Sequence, residues 1–314
     1  AFSFEITLTK SYYYALRGEM SGIKVTVLIP AYNEEENIPH LVSEIEEFVG
    51  KNQIKDWEFL LIDDGSRDKT FERFKELSRG KDYLRAVRYS RNQGVAKALS
   101  VGVKNAKGDI VVVFAADLQF VLEDAKRLVD KLMEGYDLVA GKKVGNYEKK
   151  FVSRVYNWLS GKLFGVPVTD MNSIKALKRE ILEEMPLRKD WHRYIVAFAW
   201  EMGYSMTEIP VKLRPRLYGE SKYRGFKRVV IGFLDLIAVK FQLTLMKKPM
   251  LFFGTLGLIS FALGILVGII AFIMRYGFHH GNRALLFLVI LLILAGLVLF
   301  AMGFMGEFIA VVLD

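Results

Sequence analysis

The sequence predicts an α/β fold, with a mostly parallel sheet covered by helices on both faces, followed by a C-terminal two-helix transmembrane hairpin. The first part of this prediction rests on alternating strand-like and helix-like segments between residues 24 and 140, a pattern typical of parallel sheets. The second part rests on two uncharged apolar runs, residues 249–274 and 284–306. Each run exceeds the roughly 20 residues that a helix needs to cross a bilayer.

The predicted elements follow one another through short connections. Strands are predicted at 24–29, 57–62, 84–89, 110–114 and 137–140, and helices at 36–49, 68–78, 95–106 and 122–133. Beyond residue 145 the alternation stops, and two segments, 151–164 and 223–246, combine basic residues with apolar faces. Such segments are typical of amphipathic helices that lie in the headgroup region of a membrane. Surface helices that pack on the sheet are the alternative for both.

Composition and charge exclude several classes of function. The chain has 314 residues, four histidines and no cysteine, which rules out disulfide frameworks, thiolate metal sites and cysteine nucleophiles. It carries 44 basic and 35 acidic residues, a formal net charge of +9. Residues 212–248 hold ten basic side chains against Glu220 and Asp235. Because this excess directly precedes an apolar span, it indicates a membrane surface, and no nucleic-acid partner is expected.

Four segments are expected along the chain. Residues 1–19 form an N-terminal extension of unknown role, 20–222 a cytoplasmic α/β domain, 223–248 a basic amphipathic juxtamembrane segment, and 249–314 the transmembrane hairpin. The cationic juxtamembrane segment places the residues before 249 in the cytoplasm, so the connection at 275–283 is expected outside and the C-terminus inside. The alternative for the two apolar runs is a pair of buried helices in a soluble core.

Three polar motifs directly follow predicted strands. They are Pro30–Asn37, Asp63–Ser66 and Asp117–Gln119, and ligands of parallel sheets bind off the carboxyl ends of the strands. Adjacent carboxylates can accept hydrogen bonds from a base N–H or a ribose hydroxyl. An aspartate with a second oxygen ligand two residues later suits Mg²⁺ or Mn²⁺ bound to a diphosphate. The sequence has neither a P-loop nor a dinucleotide-binding fingerprint, which disfavours those two classes.

These motifs resemble those of family 2 glycosyltransferases with the GT-A fold. The resemblance is to the polyprenyl-phosphate glycosyltransferase branch, which includes dolichyl-phosphate mannose synthases and undecaprenyl-phosphate glucosyltransferases. It rests on Pro-Ala-Tyr-Asn-Glu-Glu-Glu-Asn at 30–37, Asp-Asp-Gly-Ser at 63–66, Arg-Asn-Gln-Gly at 91–94, Ala-Asp-Leu-Gln at 116–119, Ser-Arg-Val-Tyr-Asn at 153–157 and Arg-Leu-Tyr-Gly-Glu-Ser-Lys-Tyr at 216–223. The last stretch is the most specific, because it marks this branch.

The resemblance implies a set of site residues within a GT-A catalytic domain at 20–222. The implied nucleotide-sugar-binding residues are Pro30, Tyr32, Glu34, Asp63, Asp64 and Lys142. The implied metal ligands are Asp117 and Gln119, for Mg²⁺ or Mn²⁺. The implied acceptor-phosphate residues are Arg154, Arg216, Ser221 and Lys222, and the residues implied in catalysis are Asp117, Asp170, Arg216 and Lys222.

The resemblance also implies the reaction and its partners. A membrane-bound inverting enzyme is expected to move a sugar from a GDP-mannose or UDP-glucose type of donor to a polyprenyl phosphate, with a homo-oligomer possible through the hairpin. One departure matters: relatives usually read Asp-x-Asp-x-Gln, whereas this chain has Ala115 at the first aspartate. Two alternatives therefore stay open, namely transfer to another lipid or glycan acceptor, and a non-catalytic membrane protein that binds nucleotide sugars.

Overall fold

The chain forms two compact units, Ala1–Arg224 and Gly225–Asp314. The computed structural model describes residues 24–145, 158–159, 161–185, 188, 191–215, 234–241, 243, 248–277 and 283–313. The predicted extension at 1–19 and most of the two predicted basic amphipathic segments lie outside the described residues.

The first unit alternates strands and helices, as the sequence predicts. Its strands are β1 (Val25–Ala31), β2 (Trp57–Asp63), β3 (Leu84–Arg88), β4 (Ile110–Val113), β5 (Leu138–Val144), β6 (Lys175–Lys178) and β7 (Met206–Lys212). Its helices are α1 (Ile38–Asn52), α2 (Thr70–Leu77), α3 (Val95–Asn105), α4 (Leu122–Leu132), α5 (Arg179–Glu184) and α6 (Ile195–Glu201), with a 3₁₀ turn at Trp191–Tyr194. The alternation did not predict β6, α5, α6 or β7, which follow residue 145.

The seven strands form one sheet in the order β3-β2-β1-β4-β6-β5-β7. All neighbouring pairs are parallel except those of β6, which is antiparallel to both β4 and β5. The carboxyl ends of β1, β2, β4 and β5 therefore lie along one edge of the sheet. Because β6 runs the opposite way, its first residue, Lys175, lies at this same edge, beside Val113 and Ala140.

The core of this unit covers both faces of the sheet. On one face, inward side chains such as Val27 and Phe59 pack with Ile45 of α1 and Leu128 of α4 in a single apolar cluster. On the other face α3 packs closely, since a Cβ at Gly102 would lie 3.0 Å from Leu28 Cδ2. Burial of both faces explains why the strands read as near-continuous apolar runs.

The second unit contains two long apolar helices, α7 (Pro249–Tyr276) and α8 (Arg283–Leu313). By length and composition, Pro249–Tyr276 and Arg283–Ile309 are both able to cross a membrane, and most of their apolar side chains are exposed. Both helices run past the predicted limits of 274 and 306. The connection between them is therefore shorter than the predicted 275–283.

The two apolar helices pack as an antiparallel pair with close backbone contact. A Cβ at Gly257 would lie 2.7 Å from the carbonyl oxygen of Gly296, and a Cβ at Gly303 would lie 2.9 Å from the nitrogen of Gly254. Small residues at such contacts are characteristic of helix pairs in membranes. Glu307 Oε2 also accepts a hydrogen bond of 3.1 Å from the backbone nitrogen of Met250, which joins the end of α8 to the start of α7.

Candidate active site

The loop after β1 is joined to the loop after β2 by reciprocal hydrogen bonds. The backbone nitrogen of Asn33 donates to Ser66 Oγ at 2.9 Å, and Asn33 Oδ1 accepts from the backbone nitrogen of Arg67 at 2.9 Å. The backbone nitrogen of Glu34 donates to Thr70 Oγ1 at 2.9 Å. Pro30, Tyr32 and Glu34 are half-buried beside this junction. The predicted nucleotide-binding residues of the first motif thus lie at a loop that is held by hydrogen bonds to the loop after β2.

Asp63, the last residue of β2, is fully buried and paired with a cation. Its Oδ1 accepts a hydrogen bond of 3.1 Å from the backbone nitrogen of Ser66. Its Oδ2 lies 3.1 Å from Arg88 Nε. That contact is an ion pair without the alignment of a hydrogen bond, so Oδ2 has no hydrogen-bond donor among the described residues. Arg88 also donates to Glu72 Oε1 at 2.7 Å and to the carbonyl oxygen of Ser66 at 3.0 Å.

Asp64 holds the loop that follows β3. Its two carboxylate oxygens accept four hydrogen bonds, from Tyr89 Oη (2.6 Å), Asn92 Nδ2 (2.9 Å), Gln93 N (2.7 Å) and Gly94 N (2.8 Å). Burial and the hydrogen bond to Asp64 raise the pKa of Tyr89 well above its ordinary value. Four bonds fill the usual acceptor capacity of a carboxylate, so the carboxylate of Asp64 is occupied in holding this loop.

Gly65 allows the loop after β2 to lie close to the loop after β3. Its φ is +66°, and a Cβ there would lie 2.6 Å from the carbonyl carbon of Arg91. Only glycine tolerates both the left-handed backbone and the contact at low cost. The Asp-Asp-Gly-Ser motif therefore joins the loop after β2 to Arg-Asn-Gln-Gly at 91–94.

The turn after β4 carries the predicted metal ligands. Asp117 is half-buried, and its Oδ1 accepts from the backbone nitrogen of Gln119 at 3.3 Å. Gln119 contacts Arg214 twice: its carbonyl oxygen accepts from Arg214 N at 2.8 Å, and its Nε2 donates to the carbonyl oxygen of Arg214 at 3.4 Å. Ala115 is exposed. Within the described part of the chain, no group of three or more His, Asp or Glu side chains is arranged to hold a metal.

Asp170 lies on the loop before β6 and is only 4% exposed. Its Oδ2 is 3.4 Å from Lys143 Nζ, and its Oδ1 accepts from the backbone nitrogen of Asn172 at 3.3 Å. Lys142, the neighbour of Lys143 on β5, instead contacts Glu208 Oε1 at 3.0 Å. The ammonium of Lys142, a predicted donor-binding group, therefore forms an ion pair with a carboxylate of β7.

A buried lysine adjoins Asp170. Lys175 is 4% exposed, and its Nζ donates to the carbonyl oxygen of Ser173 at 2.7 Å. Burial lowers the pKa of Lys175 to about 8, with Asp170 opposing this shift and Lys143 adding to it. Burial also lowers the pKa of His192 to about 3, so this imidazole is neutral near pH 7 and serves poorly as a base.

The structure thus brings the predicted residues together along the carboxyl edge of the sheet, in the strand ends and the adjoining loops: Pro30, Tyr32, Glu34, Asp63, Asp64, Asp117, Gln119, Lys142 and Asp170. Arg154, Arg216, Ser221 and Lys222 lie outside the described residues. Sequence reasoning did not select Arg88, Lys143, Lys175 or Glu208. Of these four, Lys143 could have been selected from the sequence, because it directly follows Lys142, a residue that the resemblance implies. The other three depend on contacts between residues far apart in the sequence.

Comparison with known proteins agrees with this geometry. The model of the family described as "Glycosyl transferase family 2" matches residues 26–186, which include the motifs after β1, β2 and β4. The chain belongs to glycosyl transferase family 2. It is therefore a glycosyltransferase, and the carboxyl edge of its sheet is the candidate active site.

Curated relatives match over both units of the chain. An undecaprenyl-phosphate 4-deoxy-4-formamido-L-arabinose transferase from Enterobacter sp. (strain 638) is 30% identical over 91% of this chain and 88% of its own length. A dodecaprenyl-phosphate galacturonate synthase from Rhizobium johnstonii is 30% identical over 93% of this chain and 89% of its own length. Because at most 9% of this chain is left uncovered, the similarity extends into the second unit.

Solved structures show the fold of this family 2 member. Glucosyl-3-phosphoglycerate synthase from Mycobacterium tuberculosis, in complex with Mn²⁺, UDP and glucosyl-3-phosphoglycerate, superposes with a TM-score of 0.55 at 20% identity, over 72% of this chain and 81% of that chain. The same enzyme with Mn²⁺ and UDP-glucose gives a TM-score of 0.54 at 20% identity, over 71% and 80%. The GT-A fold predicted for the α/β domain is confirmed.

Proposed function

We propose that this chain transfers a sugar from a nucleoside diphosphate sugar to a polyprenyl phosphate at a membrane surface, with inversion at the anomeric carbon. The observation that carries the proposal is the alignment of Asp63, Asp117 and Asp170 along one edge of a GT-A sheet. Relatives named as polyprenyl-phosphate sugar transferases, similar over 91% and 93% of this chain, support the acceptor class.

The donor's nucleoside is proposed to bind against the loops after β1 and β2. Asp63 Oδ2 offers a buried acceptor for a base or ribose donor, and Arg88 compensates its charge at 3.1 Å. The half-buried Tyr32 offers an aromatic face beside it. Uridine-linked donors are the first to test, because the structurally similar synthase was crystallised with UDP.

A divalent cation is proposed to accompany the donor diphosphate, as the fold relatives with Mn²⁺ suggest. Asp117 and Gln119 are the residues that would hold it. Mg²⁺ is commonly bound by one or two carboxylates together with substrate phosphates and water, so the single carboxylate of this turn fits a cation shared with the donor. When bound, the cation stabilises negative charge on the leaving diphosphate.

The transfer itself needs little proton chemistry. An oxygen of the acceptor phosphate attacks the anomeric carbon, the bond to the donor diphosphate breaks, and the nucleoside diphosphate leaves with the electron pair. A phosphate monoester is already anionic near neutral pH, so a strong general base is unnecessary. Asp170 is proposed to orient the acceptor or the sugar, and Arg154, Arg216, Ser221 and Lys222 to hold the phosphates.

Membrane attachment is proposed through the hairpin and the helix before it. Residues 234–241 are helical, and Leu234, Ile237 and Phe241 are exposed along it. The ring of Phe241 lies 5.9 Å from that of Phe252 on α7, which makes this apolar surface continuous with the span. The basic residues at 212–248 favour the cytoplasmic leaflet, so we propose a cytoplasmic catalytic domain.

The test is a transfer assay with the full chain in detergent. It would use labelled UDP-glucose, UDP-galacturonate and GDP-mannose in parallel, undecaprenyl phosphate as acceptor, and Mg²⁺, Mn²⁺ or a chelator. We expect labelled lipid from one donor, and its loss in the chelator. Diacylglycerol serves as the alternative acceptor, and labelled product from it alone would show that the acceptor class is wrong.

Because Ala115 stands where relatives usually have aspartate, the second candidate is a family 2 member that binds nucleotide sugars but has lost turnover. It predicts that UDP binds, as measured by calorimetry, while no donor and acceptor pair yields labelled lipid. Restoration of transfer by Ala115→Asp would show that the missing carboxylate is the cause.

A further inference from the structure

Glu208, in the edge strand β7, binds the loop that carries Asp170. Its Oε2 accepts from the backbone nitrogen of Thr169 at 2.6 Å, and Thr169 Oγ1 lies 3.0 Å from Oε1 and 2.9 Å from Oε2. Lys142 Nζ completes the group at 3.0 Å from Oε1. One carboxylate therefore fixes both the backbone and the side chain of the residue that precedes Asp170.

The register of the sheet explains this arrangement. β5 pairs with β7 so that Ala140 is opposite Glu208 and Lys142 is opposite Pro210. Lys142 and Glu208 are therefore diagonal neighbours on one face of the sheet. Lys143 extends to the other face, where it contacts Asp170 Oδ2 at 3.4 Å and the carbonyl oxygen of Asn172 at 3.1 Å. Two consecutive lysines thus hold the loop from both faces, and Lys142 does so through Glu208.

The Glu208 contacts are charge-assisted and persist at neutral pH. Burial opposes ionisation of this carboxyl, but the hydrogen bonds from Thr169 and Lys142 outweigh it and hold the pKa of Glu208 below its usual range. Hydrogen bonds to a charged acceptor are about twice as strong as neutral ones. The Thr169 contact is therefore a strong constraint on the loop.

We propose that Glu208 is a positioning residue that acts through Thr169 to hold Asp170 in place for transfer. This inference rests on the proposed function, because it takes Asp170 as the group that orients the acceptor or the sugar. Thr169 and Asp170 share a peptide bond, so release of Thr169 shifts the carboxylate of Asp170. A displacement of about 1 Å at a reacting site costs on the order of a hundredfold in rate.

The first experiment separates kcat from donor binding in the full chain. We expect Glu208→Ala to lower kcat about 10–100-fold, while the Kd for UDP weakens by no more than about threefold, because the bonds of Asp63 and Asp64 do not involve Glu208 and its loss releases the Lys142 ammonium for the donor. Glu208→Gln keeps an acceptor for Thr169 N but loses the attraction to Lys142, so we expect an intermediate kcat. A loss of UDP affinity equal to the loss of kcat would overturn the inference.

A double-mutant cycle tests whether Glu208 acts through Asp170. In an Asp170→Asn background, Glu208→Ala should lower kcat further by less than about threefold, because coupled residues are non-additive. Full additivity would overturn the inference. Glu134→Gln is the matched control, since the exposed Glu134, just after α4, pairs with Lys131 at 2.6 Å, and we expect no change in kcat or UDP affinity.

Hydrogen exchange keeps the inference testable if transfer is never observed. The backbone amide of Thr169 should exchange about tenfold faster in Glu208→Ala than in wild type, because it loses its acceptor. Unchanged exchange at 168–172 would sink the inference. Faster exchange without any transfer activity in the wild type would instead show that the proposed function fails while the Glu208 contact stands.

Discussion

The two sides of the candidate site differ in the lengths of the side-chain hydrogen bonds that hold their loops. The nucleotide-side loops, residues 32–37, 63–70 and 89–94, are joined by hydrogen bonds of 2.6–3.2 Å, four of them to Asp64 alone. The β4 turn, residues 115–119, is held by longer side-chain contacts of 3.3 and 3.4 Å and presents an exposed Ala115. We therefore expect the first set of loops to keep its conformation without a ligand, and the β4 turn to respond more strongly when a donor binds.

The largest expected effect comes from removing the carboxylate of the β4 turn. Asp117→Ala should lower the rate of transfer on the order of a thousandfold, because it removes the group that would hold the cation on the leaving diphosphate. The thermal unfolding midpoint should stay close to wild type, since Asp117 is only half-buried and its bond to Gln119 N is long, at 3.3 Å. Labelled lipid at more than a tenth of the wild-type rate would mean that another group replaces Asp117.

In the nucleotide-side loops, by contrast, a substitution is expected to lower the stability of the fold. Asp64→Ala leaves four donors without their acceptor and should lower the free energy of unfolding by about 3 kcal/mol. Thermal and denaturant unfolding in detergent would measure this loss. Asp130→Ala, which removes an exposed partner of Lys126 on α4, is the control and should change stability by less than about 0.5 kcal/mol. Equal losses in the two variants would contradict the comparison.

The buried Lys175, at the start of β6 beside β4, is expected to make the stability of the first unit depend on pH. Its folded pKa of about 8 lies below the ordinary 10.5, so the unfolded chain binds this proton more tightly between these pH values. Stability contributed by this group therefore rises with pH from 8 to 10.5 and is lowest below pH 8. Lys175→Met should raise the stability at pH 7 by up to about 3 kcal/mol, less the loss of the hydrogen bond to the carbonyl oxygen of Ser173, and the gain should shrink towards pH 10. A gain independent of pH would refute this account.

The smallest effect concerns the missing carboxylate. Ala115→Asp adds an acidic ligand at an exposed position and should tighten Mn²⁺ binding in the absence of donor about tenfold, since charge count tunes affinity for such ions. Titration of free Mn²⁺ by electron paramagnetic resonance would measure the change. Ala115→Asn is the neutral control, and equal affinities in both variants would show that position 115 does not face the cation.

The sequence predicted the strands of the first unit well where a mostly apolar run is bounded by polar turns. The runs at 57–62 and 110–114 predicted β2 and β4 within one residue at each end, because both are apolar and bounded by polar turns. Strand β6 was missed, since Lys175–Lys178 begins and ends with lysine. It is defined by pairing with β4 and β5, which no local pattern reveals.

The position of a residue at the carboxyl edge was predictable when it belonged to a motif at the end of a strand. The sequence placed Asp63 and Asp117 at this edge in this way, but it did not show the difference between Asp63 and Asp64. The two are neighbours in the sequence, and only the fold shows that Asp64 binds the loop at 89–94 while Asp63 pairs with Arg88. Glu208 carries no motif, and its contact with Thr169 spans 39 positions.

The bond between Glu307 and the nitrogen of Met250 has a practical consequence for labelling the protein. It brings the beginning of one span and the end of the other together, so both emerge on the same side of a bilayer. A fluorescent tag attached after α8 would therefore report which compartment holds residue 248. Protease protection of that tag in sealed vesicles would reveal the sidedness of the enzyme without altering any residue of the candidate site.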